Sequence, residues 1–219
     1  MCMKLYNHNG NLLEEHNNIP LNGYSNDRRK FDSIIDPSGF LKHFILRYPC
    51  SYECYRSYIE ILNPANHSVD SRRIEYYPLA HSAAHGNFSI CFGKYGLQCK
   101  LFNHDFQPYH ENATEVDNSD WTITFVSMYN LLGGGVMVVH CSTRYLTECS
   151  LRYDVIDANG KKHRGDILYR GYDTGGGSPR HPHPDPQHRP TIFEKDAENG
   201  IYCIAMAYST VKCIKIENF

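Results

Sequence analysis

In the second half of the chain, apolar and polar positions alternate with a period of two, which predicts strands. Leu151-Arg152-Tyr153-Asp154-Val155-Ile156 alternates as a half-buried strand does. Asp157-Ala158-Asn159-Gly160 follows. Asn-Gly is a strong hairpin signal, so a return strand is expected over 163–170. Val136-Met137-Val138-Val139-His140-Cys141 is a short apolar run suited to a buried strand. A last pair of strands, 201–207 and 211–216, turns at Tyr208-Ser209-Thr210. Hairpins at this regular spacing predict a mainly β sandwich or barrel.

The first half carries a weaker pattern. Strands are expected over 56–62, 88–92 and 97–102. Asn118-Ser119-Asp120 has the residue types of a helix cap, which predicts a short helix over 121–132. The β-branched residues Thr122, Ile123, Thr124 and Val126 work against it. Gly133-Gly134-Gly135 would end it. No internal repeat is present. The segment from Gly175 to Pro186 is irregular, with prolines alternating through His181-Pro182-His183-Pro184-Asp185-Pro186. Polyproline backbone splays side chains apart, so His181, His183, His188 and Asp185 are read as a solvated loop and not as a metal site.

A chain of 219 residues suits one substantial domain or two small ones. The division expected is an N-terminal β subdomain over 1–117, carrying His16, and a C-terminal β subdomain with hairpins over 118–219. The net charge is −2 with Lys and Arg dispersed, which argues against a surface for long nucleic acid. A small anionic ligand needs only a few local cations. No apolar run follows Met1-Cys2-Met3-Lys4-Leu5-Tyr6, and no stretch approaches the length of a membrane span. The expectation is a cytoplasmic protein with no membrane partner. The sequons at Asn66, Asn87 and Asn112 are then chance matches. Nine cysteines are expected as reduced, buried thiols in a chain of this length without a signal peptide, and their spacings lack the close CxxC pairs of structural zinc sites.

Three stretches resemble the poxins, viral and insect nucleases that destroy the cyclic dinucleotide 2′,3′-cGAMP. The first runs from His16 through Asn26-Asp27-Arg28-Arg29-Lys30-Phe31. The second is Cys54-Tyr55-Arg56-Ser57-Tyr58-Ile59. The third extends from about Asp120 through Cys149 and Asp157-Ala158-Asn159-Gly160-Lys161 to Gly171. The resemblance implies a two-barrel β fold related to chymotrypsin-like proteases, usually dimeric. It also implies an enzyme that uses no metal and no cofactor and that interrupts cGAS–STING immune signalling.

In such enzymes the adenosine 2′-hydroxyl attacks the adjacent 3′–5′ phosphodiester and opens the ring through a 2′,3′-cyclic phosphate. The resemblance makes His16 the general acid or base, since a histidine exchanges protons near neutral pH. A Tyr and a Lys would orient the phosphate and offset developing charge. Mammalian-virus members carry that pair four residues apart on a helix, where this chain has Trp121 and Phe125. Tyr129 is the nearest tyrosine, and Lys94, Lys100, Lys161 and Lys162 are the candidate lysines. Arg56, Arg152 and Arg164 are the candidate substrate contacts, because an Arg fork matches a phosphate or a guanine edge.

The missing pair leaves a second reading, a protein of this fold that binds the cyclic dinucleotide without cutting it. A serine protease of the related fold is disfavoured: Gly176-Gly177-Ser178-Pro179 lacks the Gly-x-Ser-Gly order. A protein that only binds other proteins is the remaining class.

Overall fold

The computed structural model describes residues 3–6, 10–16, 28–35, 41–48, 57–62, 69–74, 78–93, 95–143, 148–173, 190–206 and 210–216. Every regular element among them is a β-strand, and the strands pair antiparallel. The mainly β class read from the sequence is therefore observed. No helix among the described residues is long and apolar enough to cross a membrane.

Contacts divide the chain into two compact units, Met1–Tyr77 and Pro78–Phe219. In the first, β1 (Met3–Tyr6) pairs with β2 (Leu12–His16). A four-stranded meander follows: β3 (Arg28–Ile35), β4 (Leu41–Tyr48), β5 (Ser57–Leu62) and β6 (Val69–Ile74).

The second unit holds a seven-stranded meander. Its strands are β7 (Pro78–Ala84), β8 (Asn87–Phe92), β9 (Tyr95–Phe102), β10 (Thr114–Asn130), β11 (Val136–Thr143), β12 (Glu148–Ile156) and β13 (Lys162–Asp173). A three-stranded meander completes the unit: β14 (Thr191–Asp196), β15 (Ile201–Met206) and β16 (Thr210–Lys215). The expected boundary at 117/118 falls inside β10, which pairs with β9 on one edge and β11 on the other. The division lies instead between Tyr77 and Pro78.

The helix expected over 121–132 is a strand. Val126, Met128 and Asn130 are buried while Ser127 and Tyr129 between them are half-buried, the period of two that a strand imposes. The β-branched residues prevail because β10 finds a partner on each edge. The three glycines start the next hairpin, with positive φ at Gly133 and Gly134. Leu131 N–H donates to the Gly135 carbonyl there, at 2.8 Å.

β11 explains its own apolar run, because both of its faces are buried. Val136 and Val138 pack with Leu97, Val116, Val126, Met128 and Ile156. Met137, Val139 and Cys141 pack on the other side with Leu151, Val155 and Leu168, and with Ile192, Tyr202, Ile204 and Met206 of the three-stranded sheet. That sheet therefore covers one face of the larger one. Each such side chain stabilises the fold by roughly 1.5–3 kcal/mol on burial.

The expectation of reduced cysteines is overturned for every cysteine of the second unit. Disulfides join Cys91 to Cys99, Cys141 to Cys149, and Cys203 to Cys213. The first and third link residues directly opposite one another in the register. A spacing of seven or nine residues fits two facing strands and the turn between them, a geometry distinct from the close CxxC pairs of zinc sites. Such bonds persist in oxidising surroundings.

Candidate functional site

The second unit carries a cavity of about 790 Å³ formed on β10, β11, β12 and β13. His140 lines it. It lies on the Val136 and Val138 face of β11, and its partner in register on β12 is Arg152. Asp154, two residues further along β12, returns to the same side. Its Oδ2 stands 2.9 Å from His140 Nε2. His140 is 2% exposed and the Asp154 side chain 7%, so the pair is buried in the cavity wall. Burial of such groups is tolerated only when they are paired.

Lys162 opens β13 and turns back over the cavity. Its Nζ donates to the Val116 carbonyl and lies 3.8 Å from Asp154 Oδ1. Three register shifts between β12 and β13 bend this part of the sheet and re-aim its side chains. Gly165 permits the bend, because a Cβ there would run into the Tyr153 carbonyl and ring. Arg170, further along β13, lines the cavity with Arg152. Tyr153 lines it too. Burial, and then the Asp166 and Asp154 carboxylates, push its phenol above the usual range, so it stays a proton donor at neutral pH.

β10 shifts register on either side of Asp117. Asp117 Oδ2 comes to 3.9 Å from His140 Nδ1. That nitrogen is buried and has no hydrogen-bond partner among the described residues. Together the walls present cations and carboxylates, with Glu115 and Asp166 among the latter. This mixture suits a ligand that has anionic phosphates and also hydrogen-bond donors on a base edge. The size lies within the range of small-molecule sites, roughly 300–1,000 Å³.

Of the residues singled out in the sequence, Arg152 and Lys162 line this cavity. Arg164 sits opposite Asp154 in register, and its side chain lies outside the described residues. Lys100 Nζ donates instead to the Glu111 carbonyl at 2.9 Å. Lys161 is exposed in the β12–β13 turn. Tyr129 is drawn away from the cavity. Its hydroxyl donates to Glu194 Oε2 at 3.4 Å, and its ring lies against His85 and Tyr202. Burial, followed by Glu194, pushes its phenol up.

His16 ends β2 in the first unit, opposite Met3. Arg56, Lys94, the 181–188 loop and Ser178 lie outside the described residues. Trp121 and Phe125 lie on β10, so the one-helix arrangement of a Tyr and a Lys does not exist here.

Sequence reasoning missed His140, Asp154, Asp117, Tyr153 and Arg170. A signal for the first was present: a histidine closing an otherwise apolar strand must find a buried partner. Which carboxylate supplies it depends on register. No family model matches this chain, and no curated protein matches it.

Proposed function

We propose that this protein is a metal-independent phosphodiesterase that opens 2′,3′-cGAMP by attack of the adenosine 2′-hydroxyl on the adjacent 3′–5′ bond. One observation carries the reading. Arg152 and Lys162, both selected from the sequence, meet Tyr153, Arg170 and a buried histidine in a single ligand-sized cavity. The arginines and the lysine would take the phosphates, and the carboxylates would accept hydrogen bonds from a purine edge. In the reaction the 2′-oxygen bonds to phosphorus, the bond from phosphorus to the 5′-oxygen breaks, and the 5′-oxygen is protonated. The resemblance carries with it a two-barrel architecture, a homodimer, and His16 as general acid or base.

The test is chromatography of 2′,3′-cGAMP incubated with the protein in EDTA. A linear product is expected. Lys162→Met is expected to lower kcat by removing charge stabilisation worth a few kcal/mol in the transition state. Arg152→Ala is expected to raise KM more than it lowers kcat. His16→Ala is expected to cost about 10²-fold in rate with the fold kept, and wild-type activity in that variant removes His16 from the mechanism.

A second reading is binding without cleavage. It is favoured by Trp121 and Phe125, neither of which moves a proton. Saturable binding of intact 2′,3′-cGAMP with no product would establish it against the first.

A further inference from the structure

We propose that His140 is the base that activates the attacking hydroxyl, working beside Asp117 at the cavity wall. The inference rests on reading the cavity as the phosphodiester site. A carboxylate on Nε2 holds the ring proton there, so Nδ1 presents a bare lone pair. Asp154 is that carboxylate, at 2.9 Å. Facing Nδ1 across 3.9 Å is another acceptor, Asp117 Oδ2. Two acceptors at that separation cannot bond to each other. A hydroxyl oxygen set on the cavity side can lie within hydrogen-bond reach of both, which is the arrangement an attacking alcohol requires. The nitrogen is buried and without a hydrogen-bond partner among the described residues, although such groups are normally satisfied in folded proteins.

In the step itself, the 2′-hydroxyl proton passes to His140 Nδ1 as the 2′-oxygen bonds to phosphorus. The bond from phosphorus to the 5′-oxygen breaks, and the departing oxygen takes a proton from a general acid, the role that the resemblance then leaves to His16. The imidazolium, flanked by Asp154 and Asp117, then returns its proton to solvent. Behind it, Asp154 is a positioning residue. Among the described residues, the charged groups around the ring are Asp117 from β10, Arg152 and Asp154 from β12, and Lys162 from β13.

The experiment compares the full chain with His140→Gln, Asp154→Asn and Asp117→Asn. It measures 2′,3′-cGAMP binding, cleavage across pH and thermal unfolding. His140→Gln is expected to bind substrate within a few-fold of wild type and to lose about 10²-fold in kcat. Its profile of kcat/KM across pH is expected to differ in shape from that of the wild type. Asp117→Asn lies nearer the surface and leaves the buried pair intact. It keeps the readout open if the His140 variant unfolds, and it is expected to stay folded and to cleave more slowly. Wild-type cleavage in folded His140→Gln overturns the assignment of His140 alone, as does unchanged cleavage in Asp117→Asn. A wild-type chain that leaves 2′,3′-cGAMP intact overturns the phosphodiesterase reading and this inference together.

Discussion

Asp157 shows how one side chain sets a hairpin. Its Oδ1 accepts from the N–H groups of Asn159 and Lys161, each at 2.9 Å. Its Oδ2 stands 2.8 Å from His163 Nε2. Gly160 completes the turn at φ +74°, which a side chain would strain. The Asn-Gly signal thus marked a real hairpin, but the Asp157 N–H bond to the Lys161 carbonyl encloses three residues, Ala158, Asn159 and Gly160, with the left-handed position at glycine alone. Burial by itself would push the Asp157 carboxyl up. The hydrogen bonds from His163, Lys161 and Asn159 outweigh it and hold the group below its ordinary 3.8. A carboxyl depressed on folding stabilises the protein above its unfolded pKa, and that contribution is lost as pH falls through the folded value. Asp157→Ala is expected to lower the unfolding free energy by about 1–3 kcal/mol at neutral pH, with the difference shrinking in strong acid. Urea titrations at both pH values measure this, and equal midpoints at neutral pH would refute it.

At the scale of elements, β10 and the disulfides are instructive. The cap-like residues Asn118, Ser119 and Asp120 are a local signal, and they lost to pairing with β9 and β11. Each disulfide closes a short loop between adjacent strands, with a sequence separation of 8, 8 or 10 residues. Closing loops of that length stabilises by about 2–3 kcal/mol apiece in the chain-entropy account. Denatured protein held without reductant is expected to show no more than three reactive thiols among its nine cysteines. Peptide mapping should recover the pairs Cys91–Cys99, Cys141–Cys149 and Cys203–Cys213. Nine reactive thiols would mean that the strands approach without bonding.

For the whole molecule, the two compact units predict two unfolding components. The three disulfides all lie in Pro78–Phe219. Reductant is therefore expected to lower the melting of that unit and leave the Met1–Tyr77 component in place. Differential scanning calorimetry with and without reductant reads this directly. A single transition that shifts as a whole would show that the units unfold together.

The sequence by itself determined the antiparallel strands of the second half. Alternation along Leu151–Ile156, the Asn-Gly turn and the doubly buried run at Val136–Cys141 are all local signals, and short-range physics reads them. It also marked Arg152 and Lys162. Only the tertiary structure decided that these two share a cavity with His140, because the register and bulges of four strands set which side chains converge. It likewise decided that β10 is a strand, that six cysteines pair, and that Asp154 and not some other carboxylate holds the buried histidine. Such choices depend on partners far away in the chain, and no short window of sequence contains them.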